Sequence, residues 1–199
     1  MIENEEINTS KELTTDQKKK REAALKLLKE IEEDNNNFGE QFINTLKKTP
    51  DEMLVQGITD FVGNDLDNKS IENDCQNVKS LSIGFQNVWF INLINNQINN
   101  GGIAQFYLNY SFDYLCDSYN SFINIGAFEF ASIIEKSIQV ITKNQDYINT
   151  IKKVNSLKFF SDDKILELFS GIDNEYLKIS ADVDKILVKY IRKNYKEFG

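Results

Sequence analysis

The run from Asp51 to Asp74 places the carboxylates of Asp51, Glu52, Asp60, Asp65, Asp67, Glu72 and Asp74 against a single cation, Lys69. Carboxylates at that density form either an ordinary solvated face or a negative field for a basic partner. A second stretch, NNQINNGGIAQFYLN at 95–109, crowds side-chain amides around Gly101 and Gly102 between two apolar segments. Amides donate and accept at once. Asn100, Gln105 and Asn109 can therefore satisfy the last carbonyls of one helix and the first amides of the next. On that reading the motif is a structural stitch; on the other it is a pocket for a small polar ligand.

Few other side chains offer chemistry. The chain has no histidine, which removes the commonest general base and the commonest transition-metal ligand together. Cys75 and Cys116 are too few and too far apart for a disulfide framework or a metal site, and are expected as reduced, buried thiols. The paired acids Asp162 and Asp163 open a helix, where capping and the helix dipole account for them. No catalytic residue, metal site or cofactor is expected, and the protein is read as non-enzymatic.

The net charge of −8 is unevenly placed: residues 1–100 hold 18 acids against 11 bases, residues 101–199 hold 13 against 12. A basic footprint for direct nucleic-acid contact is absent. A protein partner is expected to be basic and to meet the N-terminal half through Asp60, Asp65, Asp67, Glu72 and Asp74. MIENEEINTS at the start has neither a basic beginning nor an apolar run, so no secretory signal is expected and the location is read as cytoplasmic. The richest apolar run, VWFI at 88–91, falls far short of the roughly 20 residues of a membrane span.

The elements that must position these groups are helical. With 41% hydrophobic residues, 12% aromatic, one proline and 9 glycines, the composition suits long continuous elements around one core. We expect a single compact all-α domain over 36–199, preceded by a charged N-terminal segment and surface helix at 1–35. TPDE at 49–52 reads as Thr49 at an N-cap, Pro50 at the first helical position and acids in the first turn. From 79 to 98, Leu81, Phe85, Val88 and Trp89 interleave with Ile83, Phe90, Ile91, Ile94 and Ile98, the pattern of a helix buried on many sides. The alternation in LSIGF leaves a strand at 81–85 as the competing reading. Gly101 is the expected left-handed residue past that helix, followed by a short helix on Ile103, Phe106, Tyr107 and Tyr110. A helix hairpin broken at Gly126 follows, then helices at DYINTIKKV, at SDDKILELF with Ser161 at its start, and at ADVDKILVKYIRKNYKEF.

Three segments carry a family resemblance. QINNGGIAQFYLN resembles the signature of the bacterial DNA-mimic protein C-terminal-domain family, formerly a domain of unknown function, in which Asn-Gly-Gly precedes an aromatic, Gln, two aromatics and Asn. Gln97 and Ile103 stand where that pattern leads one to expect an acid and an aromatic. INIGAFEFASIIEKSI is similar to the family's second helix pair, and FSGIDNEYLKISADVDKILVKYIRKNYKEF to its closing segment. The resemblance covers roughly residues 80–198. It implies an all-α fold and, as in the family's characterised member, a homodimeric acidic protein that takes the place of DNA on a transcription factor. Other readings of a small acidic helical chain are an immunity or antitoxin-like inhibitor of a basic toxin, or a binding module for a small polar ligand.

Overall fold

The computed structural model describes residues 38–67, 74–154, 159 and 161–199, and every regular element among them is helical. The N-terminal segment and surface helix expected at 1–35 lie outside the described residues, as do Lys69 and Glu72.

The centre is a long helix, α4 (Ile83–Asn109), which packs against α2 (Asp51–Asp67), α3 (Asp74–Lys79), α5 (Phe112–Asn124), α8 (Asp163–Ile179) and α9 (Val183–Lys193). Phe85, Val88, Phe90, Ile91, Ile94 and Ile98 are all buried, as a helix apolar on several sides requires. LSIGF is thus the entry to a helix. Gly84 breaks its alternation for a packing reason: a Cβ there would lie 2.6 Å from Glu197 O and 2.8 Å from the Phe198 ring.

Around this axis the other helices bury one stripe each. α1 (Phe38–Lys48) contributes Phe42 and Leu46, and α2 contributes Leu54, Ile58, Val62 and Leu66. Thr49 closes α1, its hydroxyl donating to Thr45 O (2.8 Å). Arg192 on α9 fastens that corner, donating to Leu46 O (2.7 Å), Thr49 O (2.5 Å) and Asp51 Oδ1 (2.6 Å). The hairpin of α5 and α6 (Phe128–Lys143) turns at Gly126, φ +76°. There Gly126 N donates to Ile123 O (3.0 Å) and Ala127 N to Phe122 O (2.9 Å), the paired bonds of a Schellman motif. Phe122 and Phe130 then stack across the hairpin, centroids 5.2 Å apart.

After α7 (Gln145–Val154), α8 is capped by Asp162 rather than Ser161, its carboxylate accepting from Ile165 N (3.0 Å) and from the Tyr147 hydroxyl (2.8 Å). The closing helix is shorter than its apolar spacing suggests. A 3₁₀ turn at Ser180–Asp182 precedes α9, and a second at Tyr195–Phe198 folds the end of the chain back onto α4.

Candidate interaction surface and helix junction

α2 carries five carboxylates and no cation. Asp51 and Glu52 stand in its first turn, where the helix dipole favours negative charge, and Asp51 is committed to Arg192. Asp60 is half-buried and accepts from Gln56 Nε2 (2.7 Å) one turn earlier. Asp65 and Asp67 occupy the last turn of α2, and Asp74 opens α3. The acids expected to act together are therefore spread over two helices and the segment between them.

Gln56, Asp60 and Asn64 recur every fourth residue on α2 and face Trp89, Asn92, Leu93 and Asn96 of α4. Between the two rows runs a groove of about 380 Å³ whose lining also includes Thr59 and Gly63 and, among the described residues, contains no lysine or arginine. Trp89, expected from its spacing to face the core, is half-buried in the wall of this groove. Its six-membered ring lies over Gly63, where a Cβ would be 3.8 Å away, and its Nε1 is buried with no hydrogen-bond partner. Periodicity alone misses the groove, because Trp89 shares its track with Phe85 and Val88.

At the Asn-Gly-Gly motif the helix axis breaks and resumes. Gly101 (φ −165°, ψ 19°) has ordinary extended φ, and the positive φ falls on Gly102 (φ 77°, ψ −177°), one residue later than expected. The reason lies on α8. Asp173 Oδ1 accepts from Ile103 N (2.8 Å), so the second segment of α4 starts on a carboxylate supplied by another helix. A Cβ on Gly102 would sit 2.5 Å from Asp173 Oδ2. Burial pushes the Asp173 carboxyl up, with the Ile103 amide pulling the other way. At the far end of the same segment Lys152 donates to Tyr107 O (2.7 Å) and lies 4.6 Å from the centre of the Tyr107 ring. Opposite charges thus bracket the segment in the sense its dipole favours.

Gln105 Nε2 and Asn109 Nδ2 both donate to Gln97 Oε1, at 3.1 and 3.0 Å. Gln97 is the centre of this clasp; its spacing of 8 and 12 residues from those two donors was the available signal. Asn99 donates to Asn95 O (2.7 Å) and accepts from Ser180 Oγ (3.0 Å), while Tyr176 donates to Asn95 Oδ1 (3.2 Å). Asn100 is exposed and lies outside this network. The amides are spent on one another and on α8, a partner no local spacing reveals.

Cys75 and Cys116 are free and half-buried. Cys75 Sγ donates to Asp117 Oδ2 (3.3 Å), which also pairs with Lys79 Nζ (2.8 Å). Burial first, then the Asp117 bond, pushes the Cys75 thiol up to about 12. Cys75 is thus held as the thiol at neutral pH, the wrong state for a nucleophile. In a Cys116→Ser protein, iodoacetamide should alkylate Cys75 at pH 8 at least about tenfold more slowly than free cysteine, since the thiolate is the reacting form. Equal rates would show that the thiol ionises freely. Among the described residues no group of histidine, cysteine and carboxylate side chains could hold a metal, and no helix is long and apolar enough to cross a membrane.

Fold and surface together define an all-α protein with an acidic helix beside an acceptor-rich groove. A family model described as DMP19-like protein matches residues 79–194, more than half of the chain, and the chain belongs to that family. No curated protein and no solved structure matches it. The matched segment starts just ahead of α4 and ends after α9, so one wall of the groove lies inside it and the α2 wall outside.

Proposed function

We propose that this chain is a non-enzymatic acidic interaction protein that occupies the DNA-binding surface of a protein partner, such as a transcription factor, in place of the duplex. The observation that carries this reading is α2, a helix of five carboxylates without a cation on a chain of net charge −8. Membership of the DMP19-like family supports it. Carboxylates on a helix offer a basic reader the same salt-sensitive attraction as phosphates do. Asp60, Asp65, Asp67, Glu72 and Asp74 are the residues assigned to the contact.

The immobilised protein should capture a basic DNA-binding protein from a native lysate and release it to added duplex DNA. It should also release it as salt rises, because exposed charges are screened over about 8–10 Å at physiological ionic strength. Replacing the five acids by Asn or Gln should slow association by about tenfold or more while leaving the melting midpoint nearly unchanged. Capture that neither duplex DNA nor salt reverses would count against the proposal.

A further inference from the structure

Away from the acidic helix, α1 and the end of the chain enclose a cavity of about 720 Å³, inside the ~300–1,000 Å³ usual for small-ligand sites. One wall is a single face of α1, on which Glu40, Ile43, Asn44 and Lys47 recur at i, i+3, i+4 and i+7. The other wall carries Lys193, Tyr195 and Lys196. Three ammoniums thus gather on a chain of net charge −8. Glu40 and Glu197 line the same cavity, yet among the described residues no ion pair joins either of them to a lysine. Glu197 accepts instead from the Tyr190 hydroxyl, and Glu40 lies two turns before Lys47, about 10 Å along the helix axis. The helix dipole favours Lys47 and Lys193, each in a last turn, but Lys196 lies beyond both helices and owes nothing to it.

We infer that this cavity binds a small phosphorylated ligand carrying a flat ring, the chemistry of a nucleoside diphosphate. The site is independent of the acidic contact proposed above. Ammoniums without a carboxylate partner match a group of several negative charges, to which they donate charge-assisted hydrogen bonds. The place for the ring is Tyr195. Its hydroxyl accepts from Arg192 Nη1 (3.0 Å), and Arg192 is fixed in turn by Leu46 O, Thr49 O and Asp51. The tyrosine ring is therefore held in position before a ligand arrives. Lys47 Nζ lies 5.8 Å from the centre of that ring, near the ~6 Å limit of a cation–π contact, so it gives up little on moving to a phosphate. Asn44 brings a donor and an acceptor for the edge of a base. Glu40, at the end away from Lys47, accepts from hydroxyl or amino groups and repels phosphate, which sets the direction in which the ligand lies.

Calorimetric titration of the full chain at low salt with ADP, adenosine and inorganic pyrophosphate separates the two halves of the ligand. ADP should bind at one saturable site, with adenosine and pyrophosphate each weaker by about tenfold or more, since one lacks the charge and the other the stacked ring. Lys193→Gln combined with Lys196→Gln should weaken ADP and pyrophosphate alike by about tenfold. Tyr195→Leu should weaken ADP by a similar factor and leave pyrophosphate unchanged. Because Tyr195 also meets Arg192, its effect is read beside Lys47→Gln, an exposed change that should weaken ADP without lowering the melting midpoint. Lys143→Gln and Lys153→Gln, exposed lysines outside the cavity, should leave binding as it is. No saturable binding of ADP by the folded protein overturns the proposal. Pyrophosphate binding as tightly as ADP does so too, since the lysines are then a general anion patch, as does an equal loss in the Lys143→Gln and Lys153→Gln proteins. A single-stranded oligonucleotide that binds more tightly than ADP overturns it in favour of a strand-binding surface.

Discussion

Gly102→Val should lower stability by about 3 kcal/mol or more, well beyond the loss from Gly101→Ala. At φ 77° and ψ −177° Gly102 occupies a region essentially confined to glycine, where other residues carry about 1–3 kcal/mol of strain. The added Cβ would also meet Asp173 at 2.5 Å from Oδ2 and 2.9 Å from Cγ. Pushing that carboxylate aside leaves the Ile103 amide without its acceptor, and an unpaired buried donor costs about 1–3 kcal/mol. Gly101 differs on both counts. Its φ of −165° is open to any residue, and its Cβ would meet the far end of a flexible side chain, Gln105 Oε1 at 2.0 Å. Gln105 can swing away at the loss of its bond to Gln97, worth about 1 kcal/mol. Urea titrations of the two variants decide the matter, with Asp173→Ala as reference. Because Gly102→Val already displaces Asp173, the double variant should lose less than the sum of the singles. Equal losses at the two glycines would mean that the junction does not depend on which of them takes the positive φ.

The same pair of glycines shows how far the sequence could be read. That the chain breaks after Asn100 and resumes as a helix on Ile103, Phe106 and Tyr107 follows from local spacing, and those three residues are buried. Which glycine takes the positive φ does not, because Asp173 decides it from 70 residues away. Gly126 lacked such a remote partner, and its role in the hairpin was legible from its position between two apolar stripes. The acidic run was equally plain as composition. Its geometry was not: Arg192, 141 residues on, claims Asp51, and Gln56 claims part of Asp60. Trp89 illustrates a further limit. Periodicity assigns a side to a residue but says nothing of whether the facing helix is apolar, and here α2 meets Trp89 with Gly63, Asp60 and Asn64.

The end of the chain bears the second large effect, since Phe198→Ala should cost about 3–5 kcal/mol although it alters the penultimate residue. Terminal residues usually fray and tolerate change. Here Phe198 is fully buried, edge-on to Phe85 with centroids 5.4 Å apart and 6.2 Å from the Tyr190 ring. Its neighbour Glu197 accepts from the Tyr190 hydroxyl, which itself accepts from Asn87 Nδ2 (2.9 Å) in the buried face of α4. Asn87 in turn accepts from Asn124 Nδ2 (3.1 Å), so the last turn of the chain joins a polar path through the core to α5. Only a glycine at position 84 lets the turn approach so closely, and Gly84→Ala would press on Glu197 O and on the Phe198 ring. Phe198→Leu should retain most of the stability, because it keeps most of the buried volume. Phe198→Ala should remove the ring and leave a cavity beside Phe85. Combined with Gly84→Ala, whose methyl partly fills that space, it should lose less than the sum of the two. Thermal and urea unfolding of the four proteins provides the measurement. A loss below about 1 kcal/mol for Phe198→Ala, in the range of ordinary surface substitutions, would show that the core closes without its C-terminal turn.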